Sequence, residues 1–176
     1  MNERIELQKA LHRKGIHTDL SFSFNYKGLI TKMTVGEIMV RFFQQPFTEN
    51  DYNNMIEDIE GLTHEAAHDW VWGIGFGQFM QDKVEPTDAR LIQGLVSLVM
   101  SGAEVAFSVK SKGKKEKYTV VLADDYFLME QQGDKPKKLT IKQLMEQWLN
   151  WSGRLEDIPN EALIPLMNQS FGNIIQ

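Results

Sequence analysis

The sequence predicts an α+β fold. Three observations carry that prediction. Apolar residues recur at helical spacing through most of the first hundred positions; alternation with period two appears between residues 104 and 130; and the links between the alternating runs are short. Short links suit antiparallel pairing, because a parallel pair needs a crossover of a dozen or more residues. With 176 residues, 42% of them hydrophobic, the chain can bury a real core and reads as one domain. If it divides at all, a mainly helical part over 1–103 precedes a sheet with closing helices over 104–176.

A first helix is expected over about 3–14, with Ile5, Leu7 and Leu11 turned inward and Gly15 at its end. Leu20 to Tyr26 then alternates, and Lys27-Gly28 can turn it back into Leu29 to Met33 as a hairpin. A central cluster of four helices follows, at about 35–44, 49–60, 64–81 and 87–100. Threonines mark their starts. Thr34-Val-Gly-Glu37 has the form of a capping box, as does Thr140-Ile-Lys-Gln143 later on, while Thr48 and Thr63 stand as simpler caps. Pro46 closes the first of the four, Pro86 opens the last, and Gly61 and Gly102 sit at stops. The helix at 87–100 is apolar on nearly every side and is expected to be the most buried. Glu104–Lys110, Lys117–Leu122 and Tyr126–Glu130 read as a three-stranded antiparallel meander. Two C-terminal helices, at about 141–151 and 159–169, finish the chain.

Composition narrows the function classes. The longest apolar stretch, Gly94 to Met100, is far short of the roughly 20 residues a membrane span needs. The acidic, polar start is not a secretory signal, and the absence of Cys removes disulfides, thiolate chemistry and Cys-based zinc sites. Together these point to the cytoplasm, with no membrane partner. Net charge is −5, unevenly spread. Residues 1–109 carry 9 basic and 15 acidic side chains, whereas residues 110–138 carry 8 Lys against 5 acids. A nucleic-acid footprint over the whole protein is therefore not expected.

One motif carries chemistry. His64-Glu65-Ala66-Ala67-His68 matches H-E-x-x-H, and on a helix the two imidazoles share a face and can grip one Zn²⁺. Glu65 would polarise a zinc-bound water as general base. These five residues resemble the active-site helix of the zincin metalloproteases. Against that resemblance, Asp69 follows the second His and no third His extends the motif. The third ligand would have to be a distant carboxylate such as Glu85, Asp88 or Glu104. The alternative is an acidic helix start, with Glu65 and Asp69 favourable near the N-terminus and both His at the surface.

Two further features suggest binding. Trp70 and Trp72 stand in a stretch where Gly73, Gly75 and Gly77 cost roughly 1 kcal/mol each relative to Ala. Such a cost implies close approach, either by another helix of the core or by a partner. The lysines of 110–117 and 135–138 flank the meander, and Lys112, Lys114, Lys115, Lys137 and Lys138 are expected to share one edge that attracts an acidic surface. No aromatic residue interleaves them, so a protein partner is favoured over nucleic acid. The sequence thus reads as a non-catalytic accessory or regulatory protein without cofactor, with a zinc-dependent peptidase as the alternative.

Overall fold

The computed structural model describes residues 2–163. Its elements run α1 (Asn2–Arg13), β1 (Ser21–Tyr26), β2 (Leu29–Thr34), α2 (Val35–Phe42), α3 (Glu49–Glu60), α4 (His64–Lys83), α5 (Pro86–Met100), β3 (Val105–Ser111), β4 (Lys114–Ala123), β5 (Tyr126–Gln131), β6 (Lys137–Leu139), α6 (Ile141–Asn150) and β7 (Leu155–Glu156), ending in a 3-10 turn, Asn160–Leu163. The fold is α+β. No helix among the described residues is long and apolar enough to cross a membrane.

Local chemistry explains where the helices begin. Thr34, Thr48, Thr63 and Thr140 each sit in extended backbone and accept the amide three residues on. At Thr34, Thr48 and Thr140 the third helical residue reciprocates, so three of the four are full capping boxes. Two turns share one device. Lys27-Gly28 and Lys112-Gly113 both hold positive φ, the geometry that matches a two-residue hairpin loop to strand twist.

The first hairpin, β1 with β2, buries Phe22, Phe24 and Tyr26 on one face, against α4 and α6. The larger sheet has the order β6-β5-β4-β3-β7, antiparallel throughout. Its inner face, with Phe107, Tyr118, Val120 and Met129, packs on α5 and α6 through Trp148 and Trp151. Buried residues of the helical part and of the sheet join in one cluster.

Three expectations need correction. The meander is the middle of a five-stranded sheet, because three-residue β6 and two-residue β7 add to its edges. α5 is not the most buried helix: five of its 15 residues are buried, against nine of 20 in α4 and four of eight in α2. α5 leaves Leu91 and Leu98 half-buried and Met100 exposed, so its apolar girdle exceeds what the neighbours cover. The closing helix expected from 159 begins instead as the 3-10 turn, and its part beyond Leu163 lies outside the described residues.

Candidate functional site

The H-E-x-x-H segment opens α4, directly after the Thr63 cap. His64 is committed elsewhere: its Nδ1–H donates to the Lys14 carbonyl at 2.6 Å, just past the end of α1. A helix end leaves carbonyls without partners, and this imidazole supplies one while lying over Gly15, whose φ is +82°. His68 packs edge-on against Phe22, with ring centroids 4.9 Å apart. Burial, with the Lys142 charge adding to it, lowers the His68 pKa below its ordinary value. Lys142 stands over the Trp72 ring and lies 4.0 Å from Asp69.

A catalytic zinc would need a third ligand here. Among the described residues no three His, Cys, Asp or Glu side chains come together as a metal site. Glu85 and Asp88 lie beyond the far end of α4, about 30 Å along a 20-residue helix from His64. Both are engaged there by Lys27, and Asp88 also accepts the Tyr26 hydroxyl at 2.6 Å. Glu104 precedes β3. The residues present do not fit a zincin site, and Glu65 is an exposed first-turn carboxylate.

The lysines do not share one edge. Lys112, Lys114 and Lys115 sit at the β3–β4 tip, whereas Lys137 and Lys138 lie on β6, the opposite edge strand. Lys137 is level with Val120 through Met129, six residues along β4 from Lys114, or roughly 20 Å. Lys138 covers the Tyr126 ring.

Lys115 is held by Asp157 at 3.2 Å and Glu156 at 3.6 Å. This ion pair borders a cleft of about 730 Å³ on the outer face of the sheet, lined by Ser108, Lys115, Lys117, Thr119, Glu130 and Asp157 among others. Ser108 is 2% exposed, and its hydroxyl donates to Asp157. That bond and the Lys115 ammonium hold Asp157 below the usual carboxylate range, while Asp157 in turn raises Lys115. A carboxylate held low is a weak base, and an ammonium held high offers none, so Ser108 is not set up as a nucleophile. The group instead ties β7 to β3 and β4.

Trp72 is 2% exposed and stacks on Phe76 in the core, so it offers no binding surface. The glycines divide. A Cβ on Gly75 would meet Ile38 Cδ1 at 2.7 Å, which brings α2 close to α4, whereas one on Gly77 would meet nothing within 4 Å. Trp70 behaves differently from Trp72. It is half-buried, edge-on to Phe42 with centroids 5.6 Å apart, in a second cleft of about 670 Å³.

That cleft was not foreseen from sequence. Met55, Ile59 and Leu62 come from α3 and the turn after it, Ala66, Trp70 and Ile74 from α4, and Phe42 from α2. The carboxylates of Asp58 and Asp69 are the charged groups in its lining. Its volume falls inside the range of about 300–1,000 Å³ typical of ligand clefts. The one available signal was a surplus: α4 carries an apolar row at Ala66, Trp70 and Ile74 in addition to the buried Ala67 and Val71 and the buried Trp72, Phe76 and Met80.

Compared with protein-family models, curated proteins and solved structures, the chain matches none of them.

Proposed function

We propose that the chain is a non-catalytic accessory or regulatory protein, of which an inhibitor is one form, that works in the cytoplasm by binding another protein. The observation carrying this reading is the α2–α3–α4 cleft, in which Trp70 stays half-buried beside Met55, Leu62 and Ile74. Large apolar side chains left half-covered in a ligand-sized groove resemble the anchor pockets of protein interfaces, where aromatic residues supply most of the binding energy. The charges support a protein rather than nucleic acid, since α3 carries five carboxylates and no basic residue. The β3–β4 tip is a secondary contact for an acidic surface. Lys112 and Lys114 remain its exposed charges, while Lys115 is neutralised by its two carboxylates.

A photo-crosslinking residue placed at Asp58 in cells would mark the partner, which is then purified and titrated against wild type and Ile74→Lys. The lysine stem can lie along the groove wall with its charge in water, so the fold is retained. Binding at least tenfold weaker with an unchanged melting temperature is expected. Equal affinity for both chains would overturn the reading. So would stoichiometric zinc that disappears in His68→Ala together with peptide-bond cleavage by wild type.

A further inference from the structure

The groove's dimensions say what shape it admits. Met55 on α3 and Leu62 just past its end are seven positions apart, and Ala66 and Ile74 on α4 are eight, or about 10–12 Å at a helix's rise. That is two helical turns. Both walls are helices whose interior amides and carbonyls bond within the helix, so they offer no row of free backbone groups to an extended chain. A strand laid between them would leave its own backbone polar groups facing Met55, Leu62 and Ile74. A helix brings its hydrogen bonds with it and needs only apolar anchors at i, i+3 or i+4, and i+7.

Charge says what surrounds those anchors. Asp58 is exposed and forms no ion pair among the described residues, while Asp69 has only the outlying Lys142 and the His68 ring near it. The remaining α3 carboxylates, Glu49, Asp51, Glu57 and Glu60, are exposed as well, and among the described residues only Glu60 has an ion-pair partner, Arg13. An acidic occupant would meet this rim at a cost, and a basic one would be drawn to it. The chain's own lysine-rich segments are the tip and edge of the larger sheet, and residues 164–176 contain no basic residue.

We propose that the groove receives a basic amphipathic helix of two to three turns from another protein, an inference that rests on the binding-protein reading above. The apolar stripe of that helix seats on Trp70, Met55 and Ile74, and its Lys or Arg side chains flank the stripe to reach Asp58 and Asp69.

The test uses three fluorescein-labelled synthetic peptides. One is a Leu/Lys helix with leucines at i, i+3, i+4 and i+7; the second is its Leu/Glu counterpart; the third is a scrambled Leu/Lys sequence. Anisotropy is followed with the full chain at low and physiological salt. The Leu/Lys helix is expected to bind saturably, and the scrambled and Leu/Glu peptides at least tenfold more weakly. Trp70→Ala should lower Leu/Lys affinity at least tenfold. Asp58→Lys, on an exposed side chain that cannot unsettle the core, should lower it severalfold and flatten its salt dependence.

Equal binding of ordered and scrambled Leu/Lys peptides, or indifference to both variants, would overturn the inference. If the Leu/Glu helix bound more tightly and lost affinity in Trp70→Ala, the basic occupant would fall while the protein-binding groove stood. Concentration-dependent dimerisation abolished by Trp70→Ala would make the occupant a second copy and equally overturn it.

Discussion

His64 shows how one side chain can satisfy a catalytic pattern and serve another purpose. The i, i+4 spacing is visible in sequence, but the Lys14 carbonyl that takes its Nδ1–H lies 50 positions away, where no local pattern can reveal it. His64→Ala should leave that carbonyl without its partner and lower stability by about 0.5–1.5 kcal/mol, the net value of an ordinary hydrogen bond. Denaturant unfolding would measure it, and an unchanged midpoint would show the contact to be idle. His68 makes a pH prediction. Its folded pKa is depressed by burial below the ordinary histidine value of about 6.5, so the folded state binds its proton later than the unfolded chain. The contribution is intact above about 6.5 and is lost as pH falls from there through the lower folded value. Glu146 works in the opposite sense, because burial raises its carboxyl, so the comparison must be between proteins rather than along one curve. Between pH 7.5 and 5.0 wild type should therefore lose more melting temperature than His68→Phe. Parallel curves would mean that His68 titrates as it does in the unfolded chain.

Helices were legible because their start signals are local. Thr34, Thr48, Thr63 and Thr140 announce four helices, and each hydroxyl bonds an amide three residues away. The edge strands were not legible. Lys137–Leu139 and Leu155–Glu156 are too short for any periodicity and owe their pairing to strands already in place. Glycines on helices lie between these cases, since the cost is visible in sequence but the reason for it is not. Gly77 has open space where a Cβ would stand, so Gly77→Ala should gain about 0.4–1 kcal/mol from helix propensity and a less flexible unfolded chain. Gly94 is the opposite case. A Cβ there would lie 1.8 Å from the Ala162 carbonyl oxygen and 2.7 Å from its carbon, which are backbone atoms and cannot rotate aside. Gly94→Ala should therefore push the 3-10 turn off α5 and lower the melting temperature despite the same gain in propensity. Paired melts check both, with faster amide exchange at 160–163 expected in Gly94→Ala. A rise in both variants would show that the turn gives way without cost.

Across the whole molecule, the order of elements came through in the sequence, while the closures between distant segments did not. The charge asymmetry of residues 110–138 was plain, yet its meaning changes once β7 returns to β3, pairing Ser108 with Glu156 across 48 positions. From sequence, reversing lysines at the β3–β4 tip should leave stability untouched, as for any solvated loop. The structure separates those lysines. Lys112 and Lys114 form no ion pair among the described residues, whereas Lys115 grips both Glu156 and Asp157, and Asp157 also takes the hydroxyl of buried Ser108. Asp157 holds a φ of +55°, in the left-handed region that Asp enters more readily than most residues, and its contacts with Lys115 and Ser108 hold it there. Lys115→Glu would set three carboxylates together at the point where β7 meets the sheet. Lys114→Glu with Lys115→Glu should therefore lower the melting temperature and speed amide exchange at 155–157. Lys112→Glu with Lys114→Glu, an equal change of net charge, should do neither. High salt should narrow the gap between the pairs, since exposed charges are screened within about 8–10 Å at physiological ionic strength. Identical melting curves for the two pairs would mean that β7 is held by its backbone bonds and packing alone, with the Lys115 clamp contributing nothing.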